Sequence, residues 1–194
     1  AHDPGPQSRP QPATPRPLIS SYFRFSFFAF RFLLLFLMHP LLPRYVAGAD
    51  CLHRAVHGLT HAELVAPPPA GPNMGTWSIK QVVVHMWHSD LAATHRMCRI
   101  ASEDKPLLIA YDETAFANSL HYNELDTQTV CELFRLNRLH TASMLERLPA
   151  AAFERAGVHN HRGLITLGEM IKMYVDHVDG HMGFIARKRA AIGK

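Results

Sequence analysis

Among the 14 histidines of this 194-residue chain, three stand where imidazoles can act together. His177 and His181 are four residues apart in a C-terminal stretch with amphipathic helical spacing, so they stack on one face about one turn apart. His85 lies in a different helical stretch with its own start signal. Two imidazoles from one helix and a third from a facing helix form a tripod for one divalent ion. Three neutral histidines leave a coordination position free for water or substrate, as catalytic rather than closed structural sites do. The HxxxH spacing alone is weak evidence in a histidine-rich chain, so the elements that present it must carry the argument.

Those elements read as helices. Thr60 to Glu63, Ser78 to Gln81 and Thr166 to Glu169 each have the form of a capping box, with apolar residues placed as a hydrophobic staple on either side. Asp126 opens a further apolar run containing Val130, Leu133, Phe134, Leu136 and Leu139, closed by Pro149. The spacing predicts helices at about 47–58, 79–102, 113–122, 127–148 and 167–190. The Pro- and Gly-rich stretch 67–75 and the segment 149–164 read as connections. Nothing alternates with period two for long enough to make a strand. The expected class is all-α, a four-helix bundle whose interior hosts side chains from facing helices.

Composition narrows the function. The chain has a formal charge of +4, but residues 1–44 hold five arginines against Asp3 alone, and the remaining 15 basic and 15 acidic residues cancel. No basic stripe is left in the domain, which argues against a nucleic-acid partner. Cys51, Cys98 and Cys131 are odd in number and lack CxxC spacing, which fits a reduced, cytoplasmic setting better than a disulfide framework or thiolate zinc site. There is no Ser/His/Asp arrangement, no Gly-rich phosphate loop and no dinucleotide fingerprint.

Residues 1–44 read as an extension and 45–194 as the domain. Residues 1–17, rich in Pro, Gln, Arg and Ser, are expected to be disordered. Residues 18–42 are dense in Phe and Leu but are interrupted by Arg24, Arg31 and His39-Pro40, which makes a poor membrane span. Three readings stay open for this segment: a non-native or dispensable extension, a membrane anchor or export signal through residues 18–42, and an interfacial helix. The first is favoured, since Met38 is the first methionine and a product beginning there leads straight into the domain.

The runs WSIKQVVVHMWHSDLAATHRM (Trp77 to Met97), LERLP (Leu145 to Pro149) and GVHNHRGLITLGEMIKMYVDHVDGHMGFI (Gly157 to Ile185) resemble the DinB-like (DinB/YfiT) superfamily of metal-dependent helical bundles. That family is distinct from the DNA polymerase of similar name. The resemblance runs from about Tyr45 to Ala190. It implies that His85, His177 and His181 bind a divalent metal, with zinc or nickel favoured and iron or manganese compatible with imidazole ligands. It implies a small-molecule substrate and either metal-dependent hydrolysis or S-transfer with a low-molecular-weight thiol such as bacillithiol or mycothiol. The alternative is a non-catalytic metal-binding or stress-related bundle. A homodimer through an apolar helix face is compatible with a bundle of this size.

Where family members often carry an acidic residue, three positions after the first histidine, this chain has His88. It is expected to support a ligand, join the metal shell or serve as a pocket base, against no role at all. His161 and Arg162 precede the last helix, in the turn that approaches the pocket in the resembling family, and Arg162 suits an anionic substrate group. Asp90 and Asp176 could orient ligand imidazoles, but are expected to be solvated. His95 and Arg96 suit the helix dipole or packing, and Arg187-Lys188-Arg189 reads as a solvated helix end. His53, His57 and His61 read as partly exposed, and Met86, Trp87, Met97, Met170 and Met173 as core or interface filling.

Overall fold

The structure, a computed structural model, describes residues 39–194. The expectations for residues 1–38 lie outside the described residues. Three long helices dominate: α4 (Ile79–Ser102), α6 (Thr127–Leu145) and α7 (Leu167–Ala191). Their starts follow local chemistry. Ser78 and Thr166 each accept from the backbone N–H three residues on, while Gln81 and Glu169 reach back to the cap backbone, and Asp126 accepts from the Thr129 N–H. Each arrangement satisfies amide donors that the helix itself leaves without partners.

The fourth position of the bundle is filled by two short helices, α1 (Leu42–Ala47) and α2 (Cys51–Val56), both packed on α6 and α7. The helix expected at about 47–58 thus begins earlier and is broken at Gly48. A side chain there would be 3.6 Å from both the Arg138 guanidinium carbon and Val178. The short α3 (His61–Val65) opens on the expected Thr60–Glu63 capping box and packs on α4. Further on, α5 (Glu113–Ser119) starts from the Asp112 side chain. The result is a four-helix bundle. No helix among the described residues is long and apolar enough to cross a membrane.

The expectation of no strands is corrected. Strands β1 (Leu107–Leu108), β2 (Ala156–His159) and β3 (Gly163–Thr166) form a small sheet, with β1 parallel and β3 antiparallel to β2. Two to four residues give no readable alternation, and what holds them is pairing between distant segments. A Cβ at Gly157 would lie 2.9 Å from Leu108 Cδ1 and 3.0 Å from the Pro106 carbonyl, so only glycine lets β2 close on β1. Gly163, at φ +75°, closes the β2–β3 turn in a conformation that disfavours side chains.

Two apolar clusters fill the bundle, one around Leu52, Val83, Met86 and Phe134, the other around Tyr45, Met97, Leu145 and Met170. Along α4, α6 and α7 they are separated by polar side chains, with Asp90, Arg138 and Thr141 all buried. This corrects the solvated reading of Asp90. Its Oδ1 lies 3.4 Å from Arg138 Nη1, its Oδ2 accepts from Asn137 at 2.9 Å, and Arg138 stacks on the Tyr45 ring at 3.9 Å. Asp176 is solvated as expected and pairs with Lys172. The solvated reading of the last helix end is corrected at Lys188, which is buried and donates to the carbonyls of Met74 and Trp77. Those carbonyls belong to the connection before α4, so the lysine ties that loop to the end of α7. Met86, Met97 and Met170 are core residues, His53 is half-buried, and His57 and His61 are exposed.

Candidate metal centre

Helices α4 and α7 pack side by side, and this contact decides the fate of the three histidines. His85 Nε2 lies 3.2 Å from His177 Nε2, and the His181 ring centroid is 4.9 Å from that of His85 and 4.5 Å from that of His177. One ligand nitrogen from each residue falls within 4.8 Å of the other two. Nitrogens held about 2.0–2.1 Å from a tetrahedral ion are roughly 3.3 Å apart, so the His85–His177 spacing, which in the metal-free protein is that of an N–H···N hydrogen bond, also suits two ligands on one cation. His85 is buried, while His177 and His181 are half-buried.

The donor chemistry fits as well. Burial, followed by the neighbouring rings of His181 and His88, pushes His85 down to about 3. Burial, then His181, His85 and Arg138, does the same to His177, and burial lowers His181. All three are therefore neutral lone-pair donors at physiological pH. Nδ1 of His85 and Nδ1 of His181 are buried without a hydrogen-bond partner. Orphaned buried polar atoms are rare; the His85 Nδ1 points away from the Nε2 that faces His177, so an ion on Nε2 accounts for the crowding of the three imidazoles and not for that unpaired atom.

These shifts set a pH dependence. An imidazole that titrates near 6.5 in the unfolded chain and near 3 in the folded one is protonated first in the unfolded state. Stability of the metal-free protein is therefore complete above about pH 6.5 and falls as pH drops toward 3. By pH 5 the loss is about 2 kcal/mol for a single such histidine, and less than twice that for His85 and His177 together because the rings touch. Urea unfolding of chelator-treated protein at pH 7 and pH 5 measures it. His177→Gln should show a smaller loss, and an equal loss in the variant would contradict the assignment.

A cavity of about 400 Å³ opens beside His177, with Arg96, Tyr111, Glu113, His159, His161 and Arg162 among its lining residues. The β2–β3 hairpin supplies His159, His161 and Arg162, and α5 supplies Glu113. The Glu113 carboxylate approaches His85 Nε2 to 4.0 Å. A smaller, mostly apolar hollow of about 210 Å³, lined by Trp77, Val82 and Phe184, borders His181. The three imidazoles thus lie between a polar cavity and an apolar one.

The structure brings together His85, His177 and His181, and it places His161 and Arg162 at the adjoining cavity. His88 neighbours His85 but is not one of the three converging donors: its Nδ1 lies 2.6 Å from the Tyr122 hydroxyl, and its ring meets Phe116 edge-on. Sequence reasoning missed Glu113, Tyr111 and the role of Arg96. Arg96 had a signal, since it falls in the buried phase of α4 with Ala93 and Ile100. Glu113 and Tyr111 had none, because only the tertiary fold carries them to the site.

Comparison with known proteins gives the family and the fold. A family model described as the DinB superfamily matches residues 44–185. A candidate metal-dependent hydrolase of Oceanobacillus iheyensis is 29% identical over 111 residues, covering 57% of this chain and 64% of that protein. The chain thus spans just under two thirds of this relative's length. Bacillus subtilis YfiT, also named as a candidate metal-dependent hydrolase, is 25% identical over 143 residues, or 73% of this chain and 78% of that protein. Its solved structure, described as having an unusual four-helix bundle topology, superposes with a TM-score of 0.73 at 22% identity, covering 93% of this chain and 94% of that chain. A mycothiol-dependent maleylpyruvate isomerase shares the fold more distantly, with a TM-score of 0.58 at 14% identity over 74% of this chain and 58% of that chain.

Proposed function

Because the chain belongs to the DinB superfamily, we propose that it is a divalent-metal-dependent enzyme acting on a small molecule, with His85, His177 and His181 as the metal ligands. The observation that carries this is the convergence of three buried or half-buried neutral imidazoles beside an open cavity. A purely structural ion would favour a closed coordination sphere, whereas here a cavity large enough for a small ligand borders His177. Zinc or nickel suits the all-imidazole donor set best, and iron or manganese is also compatible with it.

Two reaction classes follow from such a site, hydrolysis and S-transfer with a low-molecular-weight thiol. A bound divalent ion supplies Lewis acidity, lowering the pKa of a bound water toward about 7 or binding a thiolate or carbonyl. Hydrolysis is the favoured reading, because the Glu113 carboxylate near His85 is placed to accept a proton from a nucleophile entering from the cavity. Trp77, whose ring centroid is 5.0 Å from that of His85, shields the His85 ring. The hairpin residues His161 and Arg162 bind and orient the substrate. The free thiols of Cys51, Cys98 and Cys131 support a cytoplasmic setting. Exposed Leu133, Leu136 and Leu139 on α6 offer a face for a homodimer.

The test is elemental analysis of protein purified without chelator, followed by ester, amide and thiol-conjugation screens on metal-loaded and stripped samples. The expected result is a stoichiometric divalent ion and turnover that disappears on stripping. Substoichiometric metal after loading, or identical turnover in both samples, removes the proposal.

A further inference from the structure

The buried charge in the cavity beside His177 is unbalanced. Arg96 is 8% exposed, yet its guanidinium meets only neutral acceptors: Nη1 donates to the Tyr174 hydroxyl at 3.2 Å and Nη2 to the Ile109 carbonyl at 2.6 Å. Among the described residues no carboxylate pairs with it within 4.0 Å. The other deeply buried guanidinium, Arg138, has Asp90 as its counter-ion. Burying a cation without an anion is costly, and neutral acceptors fix its direction without cancelling its charge.

The rest of the lining has the same sign. Arg162 enters from the hairpin turn and is likewise without an ion pair among the described residues. Glu113 is the one carboxylate in the lining; it feels the charge of both Arg162 and Arg96 without a direct ion pair to either, and its Oε2 lies 4.0 Å from His85 Nε2. Two guanidinium groups against one carboxylate leave the cavity net positive before any metal is counted. The Tyr111 hydroxyl, buried beside Ser89 without a well-formed hydrogen bond, offers another donor. His159 is buried, and Arg96 and Arg162 both help hold its ring neutral, so it adds hydrogen-bonding capacity without adding charge.

Resting on the metal-centre reading above, we propose that this cavity is an oxyanion subsite. In it Arg96 and Arg162 hold a terminal carboxylate or phosphate of the substrate while the reacting group faces the three imidazoles. The planar guanidinium fork matches either oxyanion. A volume of about 400 Å³ limits the ligand to a small molecule, and the apolar hollow on the His181 side suits an uncharged substituent at the other end. The substrate class is thus a small acid whose charged end is fixed at a distance from the bond that reacts.

The probes are hydroxamates on the zinc-loaded protein: succinate monohydroxamate and its phosphonate analogue, against uncharged butyrohydroxamate. We expect at least one charged probe to bind about tenfold more tightly than the neutral one, as one charge-assisted contact would give, and which of the two gains identifies the oxyanion. Arg162 lies on an exposed turn, so Arg162→Gln should keep the fold and abolish the preference, while Arg162→Lys should restore part of it. Arg96→Gln should behave like Arg162→Gln wherever its circular dichroism is native. Equal affinity for all three probes, or a preference untouched in Arg162→Gln, overturns the proposal. If loading fails because the metal reading is wrong, succinate titrated calorimetrically against butyramide into metal-free protein still decides. Succinate binding weakened by Arg162→Gln supports the subsite, and no difference between the two ligands overturns it.

Discussion

Replacing His177 with alanine should leave a folded protein that no longer retains divalent metal, with affinity reduced by at least about a hundredfold. His177 lies 3.2 Å from His85 through their Nε2 atoms and next to His181 one turn along α7. Without it the two remaining imidazoles come from different helices and lack the HxxxH pair that pre-orders them. The fold should survive, because alanine is the best helix former and the substitution removes a half-buried polar ring rather than an apolar anchor. The comparison is therefore between metal responses. Wild-type protein with zinc at a hundred times its dissociation constant should gain about 2.7 kcal/mol of stability, and the variant should gain almost none. His88→Gln is the informative control. The His88 ring is engaged by Tyr122 and stands outside the trio, so metal content should remain at the wild-type level. A His177→Ala protein that still binds stoichiometric zinc would show that the three rings pack together for another reason.

The residues that make this experiment possible were legible in the chain because their signals are local. A capping box lies within four residues, and an HxxxH pair within one turn, so both survive in a linear reading. Ser78, Thr166 and Asp126 start the helices where expected, which fixes the faces that present His85, His177 and His181. The sheet was not legible, because Leu107 and Leu108 pair with Val158 and His159, some fifty residues later, and two-residue strands leave no period. Glu113 and Tyr111 reach the cavity only through that same long-range folding. Asp90, Arg96 and Lys188 form a third group, with a signal that was present but discounted. Each falls in the buried phase of its helix, as Asp90 does between Met86 and Ala93, and Lys188 after Ile185. A charged residue in an apolar stripe points either to a solvated edge or to a buried partner, and a solvated or dipole-balancing role was the wrong choice for Asp90 and Lys188. The partners lie on other elements, out of reach of any spacing argument.

That buried pair supplies the largest stability effect expected. Asp90→Ala should destabilise the metal-free protein by about 3–5 kcal/mol, the usual cost of removing one member of a buried ion pair and stranding the other. Arg138 is 1% exposed and cannot turn to water. It is held by the Tyr45 ring, by the carbonyls of Tyr45 and Tyr174, and by Asp90. Burial pushes the Asp90 carboxyl up to about 6, against the opposing pull of Arg138 and the Asn137 amide. The carboxylate is therefore already under strain from desolvation, yet it is the main counter-charge for the guanidinium. If stranded charge is the cause, removing it should restore stability. Asp90→Ala combined with Arg138→Met should cost less than the sum of the single changes, and a double-mutant cycle in urea reads the coupling directly. Because Arg138 also fixes the backbone of Tyr174, one turn before His177, Asp90→Ala should weaken zinc binding as well, and the double variant need not recover that loss. A loss below about 1 kcal/mol in Asp90→Ala, or strictly additive costs, would mean that water reaches Arg138 and that the polar layer between the two apolar clusters does not hold α4, α6 and α7 in register.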